Sequence, residues 1–204
     1  MMKRRFKENN KGYTLVEMII VMAIIVVLSG LAMVTLTLMH SAKAKEASIS
    51  FNSAISEQIA KAKGSYCDVN GDGTVDSTET KYVYCLKLYK NGNTYYVQRG
   101  ACLKTNAIAN PSASFVALPD VNGTDGKGTS LSSYVDIKYT MFTYNELSGS
   151  YTKTTSAVDS TGVFVVYNKS GKCIHGDGDY EFYKKNGNRI ARVALNKNGS
   201  HRSY

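Results

Sequence analysis

The sequence predicts an α+β protein. One long N-terminal α-helix, membrane-spanning in its first half and amphipathic in its second, lies on a C-terminal antiparallel β-sheet. Three observations predict it. Residues 13–39 are almost wholly apolar. A helical repeat of apolar residues follows as far as Gly64. Beyond it come short runs rich in Tyr, Val and Thr, broken by Asn-Gly pairs. A chain of 204 residues has room for such a helix and one head of about 140 residues.

Residues 1–12 form a basic leader. Lys3, Arg4, Arg5, Lys7 and Lys11 stand against Glu8 alone, so this stretch supplies +4 of the formal net charge of +9. The remaining +5 is spread over a polar head. No basic run or basic–aromatic stripe stands out beyond the leader, so the charge points to no specific nucleic-acid partner.

The apolar run from Tyr13 to Met39 carries one formal charge, Glu17. As a helix, its roughly 27 residues reach about 40 Å, more than the roughly 30 Å hydrocarbon core of a bilayer. The preceding cations place the N-terminus in the cytoplasm and the head outside. Three readings compete. A cleaved secretory signal would find a small-residue site at Ala42-Lys43-Ala44, but such signals have apolar cores of only about 7–15 residues. A plain membrane anchor accounts for the length but leaves Glu17 unexplained. A carboxylate inside a span costs on the order of 3 kcal/mol. The third reading uses the whole string Lys11-Gly12-Tyr13-Thr14-Leu15-Val16-Glu17 followed by Met18-Ile19-Ile20-Val21.

That string resembles the signal of type IV prepilins and pseudopilins. The resemblance implies that a dedicated peptidase cuts between Gly12 and Tyr13 on the cytoplasmic face and methylates the new terminal amine. It also implies that Glu17 stays in the membrane and faces the amine of a neighbouring subunit. The family usually has Phe where Tyr13 stands. Many members carry a mid-span Pro, where this chain has Val34 with Gly30 just before it. The physics agrees with the carry-over. Cleavage removes the leader's charges and leaves an ammonium four residues before Glu17. Each charge is costly alone in lipid, and pairing across subunits offsets both and sets the axial register. The implied partners are other pilin or pseudopilin subunits, the prepilin peptidase and the membrane assembly machinery. The implied architecture is the pilin-like fold.

Residues 40–63 continue the helix. Ala44, Ser48, Phe51, Ile55, Ile59 and Ala62 fall on one face, while Lys43, Lys45, Glu46, Glu57, Lys61 and Lys63 lie largely off it, and Gly64 is a stop signal. Residues 64–204 form the β-rich head. Runs at 81–90 and 94–103 flank Asn91-Gly92, and runs at 180–185 and 188–195 flank Asn186-Gly187, as two hairpins. Residues 134–144 and 162–167 read as further strands. Residues 104–133, rich in Ser, Gly, Asn and Thr and holding both prolines, read as a long surface connection. The strand series ending the chain loosely resembles that of minor pseudopilins.

Residues 68–79 match the EF-hand calcium-loop template, with a likeness to dockerin loops as well. Asp68, Asn70 and Asp72 would offer side-chain oxygens, Gly73 the sharp turn, Thr74 its carbonyl, Asp76 a direct or water-mediated contact, and Glu79 two oxygens. The expectation is one structural calcium ion. The competing reading is an acidic turn between helix and sheet. Residues 120–126 echo the opening of the loop without its spacing, and residues 176–179 read as a turn.

Four cysteines, Cys67, Cys85, Cys102 and Cys173, all follow the apolar run. In an exported domain an even count favours disulfides, and four cysteines allow three pairings. The expected pairs are Cys67–Cys85, closing a short loop around the acidic turn, and Cys102–Cys173. His40, His175 and His201 make no metal spacing with them, and a Cys173–His175 nucleophile is outweighed by a disulfided Cys173. No phosphate loop, zinc motif or nucleophile elbow is present, so no enzyme is expected. The leading reading is a structural subunit (pilin, pseudopilin or minor pilin) of a type IV pilus or a type II secretion-like filament. The alternative is a monomeric, membrane-anchored extracellular module that binds calcium or adheres.

Overall fold

The computed structural model describes residues 13–119, 126–146, 149–185 and 187–204. It comprises two compact units, one ending at Met39 and one spanning His40–Tyr204. Their boundary falls within a single 50-residue helix, α1 (Leu15–Gly64).

In the first unit, every described residue of α1 through Met39 is exposed. Its polar groups are satisfied internally: the hydroxyls of Ser29, Thr35 and Thr37 donate to the carbonyls of Ile25, Leu31 and Met33 at 2.6, 3.0 and 3.1 Å. Such back-bonding is what a helix surrounded by lipid requires of its hydroxyls.

In the second unit, α1 buries the predicted face, Ala44, Ser48, Phe51, Ile55, Ile59 and Ala62, and adds Ala47, Ala54 and Gln58. The i, i+3, i+4 spacing makes one apolar stripe. It packs on antiparallel strands, as expected of an α+β arrangement, but the strands form two sheets rather than one. The first runs in the order β3 (Val116–Ala117), β2 (Thr94–Leu103), β1 (Tyr82–Asn91), β7 (Val163–Tyr167) and β8 (Cys173–His175). Here β4 (Thr129–Ser132) also pairs with β2. The second runs β11 (His201–Ser203), β10 (Arg189–Leu195), β9 (Gly178–Lys184), β5 (Val135–Asn145) and β6 (Ser150–Ala157).

Both sheets contribute to one core beneath the helix. Leu86, Leu88, Val97 and Val165 come from the first sheet, and Ile137, Tyr180, Phe182 and Val193 from the second. Phe51 joins helix to second sheet, with its ring 4.7 Å from Tyr180 and 6.0 Å from Phe182 between centroids. Splitting one sheet into two lets a single helix be wrapped by apolar faces on two sides, which a flat sheet cannot do.

The first hairpin is tight: Asn91 pairs with Thr94, so the two turn residues are Gly92 and Asn93, one position later than predicted. Gly92 has a φ of +59°, the left-handed conformation such a turn demands. Strands β9 and β10 bracket the second predicted turn, whose Asn186 lies outside the described residues. The segment read as a surface connection is more than that. It holds β3, β4 and a 3-10 turn at Pro111–Ser114. Its Ala107 and Phe115 cover a second, smaller core of Val83, Cys85, Cys102 and Val166. The echo at residues 120–126 lies almost wholly outside the described residues.

Candidate functional site

The N-terminal motif begins with a helix cap. Thr14 precedes the first helical residue, and its hydroxyl accepts the Glu17 amide at 3.2 Å. In return, one Glu17 carboxylate oxygen accepts the Thr14 amide at 2.8 Å and the Thr14 hydroxyl at 3.0 Å. This reciprocal arrangement is a capping box, in which two otherwise orphaned amides of the first turn are satisfied. The Thr-x-x-Glu spacing carries the signal for this cap, so Glu17 has a local task besides its charge in the span. Tyr13 is exposed beside it. Gly12 lies outside the described residues.

Among the described residues one helix, α1, is long and apolar enough to cross a membrane. Residues 7–33 match the family model of the prokaryotic N-terminal methylation motif. That match spans the predicted cleavage bond, the capping box and most of the apolar half of α1. It supports a type IV pilin-like prepilin, with membrane anchoring and processing by a prepilin peptidase. No curated protein and no solved structure matches the chain.

The acidic loop directly follows α1. Asp68 uses both oxygens on its own loop, accepting the amides of Gly71 at 2.7 Å and Gly73 at 2.8 Å. Gly73 has a φ of +81°, so the sharp turn expected there is present. Asp72 accepts the amide of Thr74 at 2.8 Å and its hydroxyl at 2.7 Å, and the hydroxyl above all holds the Asp72 pKa below its ordinary value. Asp76 accepts the hydroxyl of Thr78 at 2.6 Å and the amides of Thr78 and Glu79 at 2.7 and 3.0 Å. Its pKa is lowered too, first by that hydroxyl.

Glu79 is only 4% exposed. It closes the loop on itself: one oxygen accepts the amides of Val69 and Asn70 at 2.8 and 3.0 Å, the other that of Asp76 at 3.1 Å. The turn at Gly73 is present, and the carboxylates of the loop face backbone amides. Among the described residues, no three His, Cys, Asp or Glu side chains converge as a metal-holding group.

The cysteines depart from expectation. All four are free and buried, and neither expected pair is formed. The cause is strand alternation. Tyr84 faces the main core together with Cys67, so Cys85 faces the opposite side of the sheet. Burial pushes the thiols of Cys67 and Cys173 up to about 12. Cys173 donates its thiol to the backbone carbonyl of His175 at 3.1 Å, not to the imidazole, whose Nδ1 meets the Ile108 carbonyl at 2.9 Å. His201 meets the Ser56 hydroxyl at 2.8 Å, and His40 stacks on Tyr134 at 5.1 Å between ring centroids. The three imidazoles thus meet a carbonyl, a hydroxyl and an aromatic ring.

Proposed function

We propose that this protein is a structural subunit of a type IV pilus or a related secretion-type filament. On this reading it is cut between Gly12 and Tyr13 and methylated on the Tyr13 amine. The match of residues 7–33 to the N-terminal methylation motif carries this reading. The exposed apolar half of α1 supports it, because that surface needs a covering of lipid before assembly and of neighbouring helices afterwards. In a filament the Glu17 carboxylate leaves its own Thr14 amide to meet the ammonium of the next subunit's first residue. The exchange is favourable because a carboxylate–ammonium bond replaces a carboxylate–amide bond. Mass spectrometry of the protein from cells that hold the peptidase tests the reading. A mature chain beginning at methylated Tyr13 is expected. An intact leader, or a start at residues 43–45, rejects it.

The plain-anchor alternative gains from the capping box, which gives Glu17 a task within one chain. The two readings separate at the charge of Glu17, as set out in the Discussion.

The head carries a second proposal. The donor set of Asp68, Asn70, Asp72, Thr74, Asp76 and Glu79 is entirely oxygen and rich in carboxylate, which fits one structural calcium ion. Calcium would supply a hard positive charge in the loop, and these residues would hold it by turning their oxygens from amides to the ion. Ligand binding to the folded form alone raises stability by about 2.7 kcal/mol at a hundredfold excess over Kd. Thermal melts of the full chain in detergent, with calcium and with chelator, are expected to differ. Identical melts, or binding that survives Asp72→Ala with Glu79→Ala, remove calcium from this loop.

A further inference from the structure

The expected cysteine pairs are absent, but two other cysteines are neighbours on one face of the first hairpin. Cys85 lies on β1 and Cys102 on β2. In the register of the hairpin, Cys102 stands opposite Val83, and Cys85 is the next residue of β1 on that face, its diagonal neighbour. The two belong to one small core with Val83, Ala107 and Val166, and both are 0% exposed. Their side chains emerge on one face of the hairpin, inside that core. Gly100, directly opposite Cys85, leaves space that Phe115 fills. A Cβ there would run into the Phe115 ring, which packs against this small core.

We propose that Cys85 and Cys102 are the redox-active pair of this protein and are joined as a cross-strand disulfide once the head has left the cytoplasm, while Cys67 and Cys173 stay as thiols. The inference rests on the exported placement of the head in the reading above, since such bonds persist only in an oxidising compartment. The oxidant is a protein or small-molecule disulfide. One cysteine, as thiolate, attacks the oxidant's sulfur and forms a mixed disulfide, releasing one thiol. The other then loses its proton and attacks the sulfur now bound to the oxidant, releasing the second thiol. Two electrons pass to the oxidant, which takes up two protons, and the S–S bond closes between β1 and β2.

In the sealed head the neighbouring Cys85 thiol lowers the pKa of Cys102, whereas burial raises that of Cys85. Both sulfurs are sealed in the folded head, so exchange belongs to the period before Phe115 and Ala107 close over them. Once sealed, the bond is shielded from reductants. Cys67 and Cys173 belong to the main core, and burial keeps both protonated.

The test is a disulfide map of the full chain isolated from its own membrane, alkylated before lysis and digested with trypsin without reductant. The expected species joins peptide 82–87 to peptide 100–104, with the peptides holding Cys67 and Cys173 alkylated after unfolding. Free Cys85 and Cys102, or a bond from either to Cys67 or Cys173, overturns the proposal. The N-terminus is read in the same sample, and protease access to the head is measured on intact cells. A missing bond on an exported, processed head faults the pair.

If the head is found in the cytoplasm, refolding the purified reduced chain with glutathione disulfide decides. The 82–87/100–104 species then supports the pair and faults only the export reading, and its absence overturns the pair. A stability readout accompanies the map. Reduction is expected to lower Tm by about 5–10 °C. Cys85→Ser and Cys102→Ser should each reproduce that loss and show no further fall on reduction. A reductant effect that persists in both variants also overturns the proposal.

Discussion

The two halves of α1 share a backbone conformation and little else. From Leu15 to Met39 every side chain is exposed, and the helix holds through its cap and its own hydrogen bonds. From His40 to Gly64 one stripe is buried against two sheets, and charge is confined to the other side, where Glu57 meets Lys61 at 3.0 Å and Arg99 at 2.9 Å. The first half can therefore change its surroundings, lipid for protein, without unfolding the head. The second half cannot be moved without opening the core. In the filament proposed above, that difference lets the subunit leave a bilayer and pack by one end of its helix.

The sharpest way to break the comparison is at Glu17. Glu17→Ala removes both the charge and the cap, and Glu17→Gln keeps an oxygen for the cap and removes only the charge. If pairing with a neighbour's amine sets assembly, both variants lower filament incorporation tenfold or more while leader removal continues, as quantified by immunoblotting of sheared filaments. If capping is the whole task, Gln restores incorporation and the assembly role is refuted.

Next in size is a matched pair of deletions. Phe51→Ala, in the buried half, is expected to destabilise the head by about 3–5 kcal/mol. Ile24→Ala, in the exposed half, should leave head unfolding within about 0.5 kcal/mol of the parent. Denaturant unfolding of the full chain in detergent, followed by tyrosine near-ultraviolet dichroism, measures both. Equal losses would mean that the two halves are energetically one element.

A smaller effect in the opposite direction is expected at Gln58. Its side chain is wholly buried, and neither its amide nitrogen nor its oxygen has a partner among the described residues. An unmet polar group of this kind costs about 1–3 kcal/mol. Gln58→Leu, close in volume, should stabilise the head by about 1–2 kcal/mol. A loss of stability would show that the amide has a partner, such as a buried water.

The smallest effect is expected just beyond α1, in the acidic loop. Folded Asp72 and Asp76 have lowered pKa values, held there by the Thr74 and Thr78 hydroxyls. Their contribution is fully present above the unfolded carboxylate value near about 4 and is lost as pH falls through the lower folded values. Carbon-detected NMR titration should place both midpoints below that of a free aspartate. Protection factors at the Thr74, Thr78 and Glu79 amides, taken against the intrinsic rate at each pH, should fall with acid while the buried face of α1 stays protected. A midpoint at or above the free value would show that the carboxylates do not hold the loop.

Much of this molecule was legible in its residues. The apolar run, the stripe through Phe51 and Ile59, the Asn-Gly signal at 91–92 and the main strands follow from periodicity and turn chemistry, which are local. The loop at 68–79 was legible for the same reason, since its Asp, Asn and Gly side chains bond within a few residues of themselves. Strand β6 is not legible in this way. All eight of its residues are exposed, so its sequence carries no apolar alternation to read. The covering role of residues 104–117 was hidden by polar composition, because only Ala107 and Phe115 of that stretch pack onto the small core.

The sequence by itself determined the long helix, the place where its character changes, the methylation motif at its start and the β-rich head. These depend on residues close along the chain. Only the tertiary structure decided that the strands divide into two sheets around one helix, and that Cys85 shares a small core with Cys102 rather than the main core with Cys67. Strand order and the face on which a side chain emerges depend on pairings between residues far apart in the chain. Those pairings are chosen by which set of faces buries the most apolar surface at once, a quantity that no local window contains.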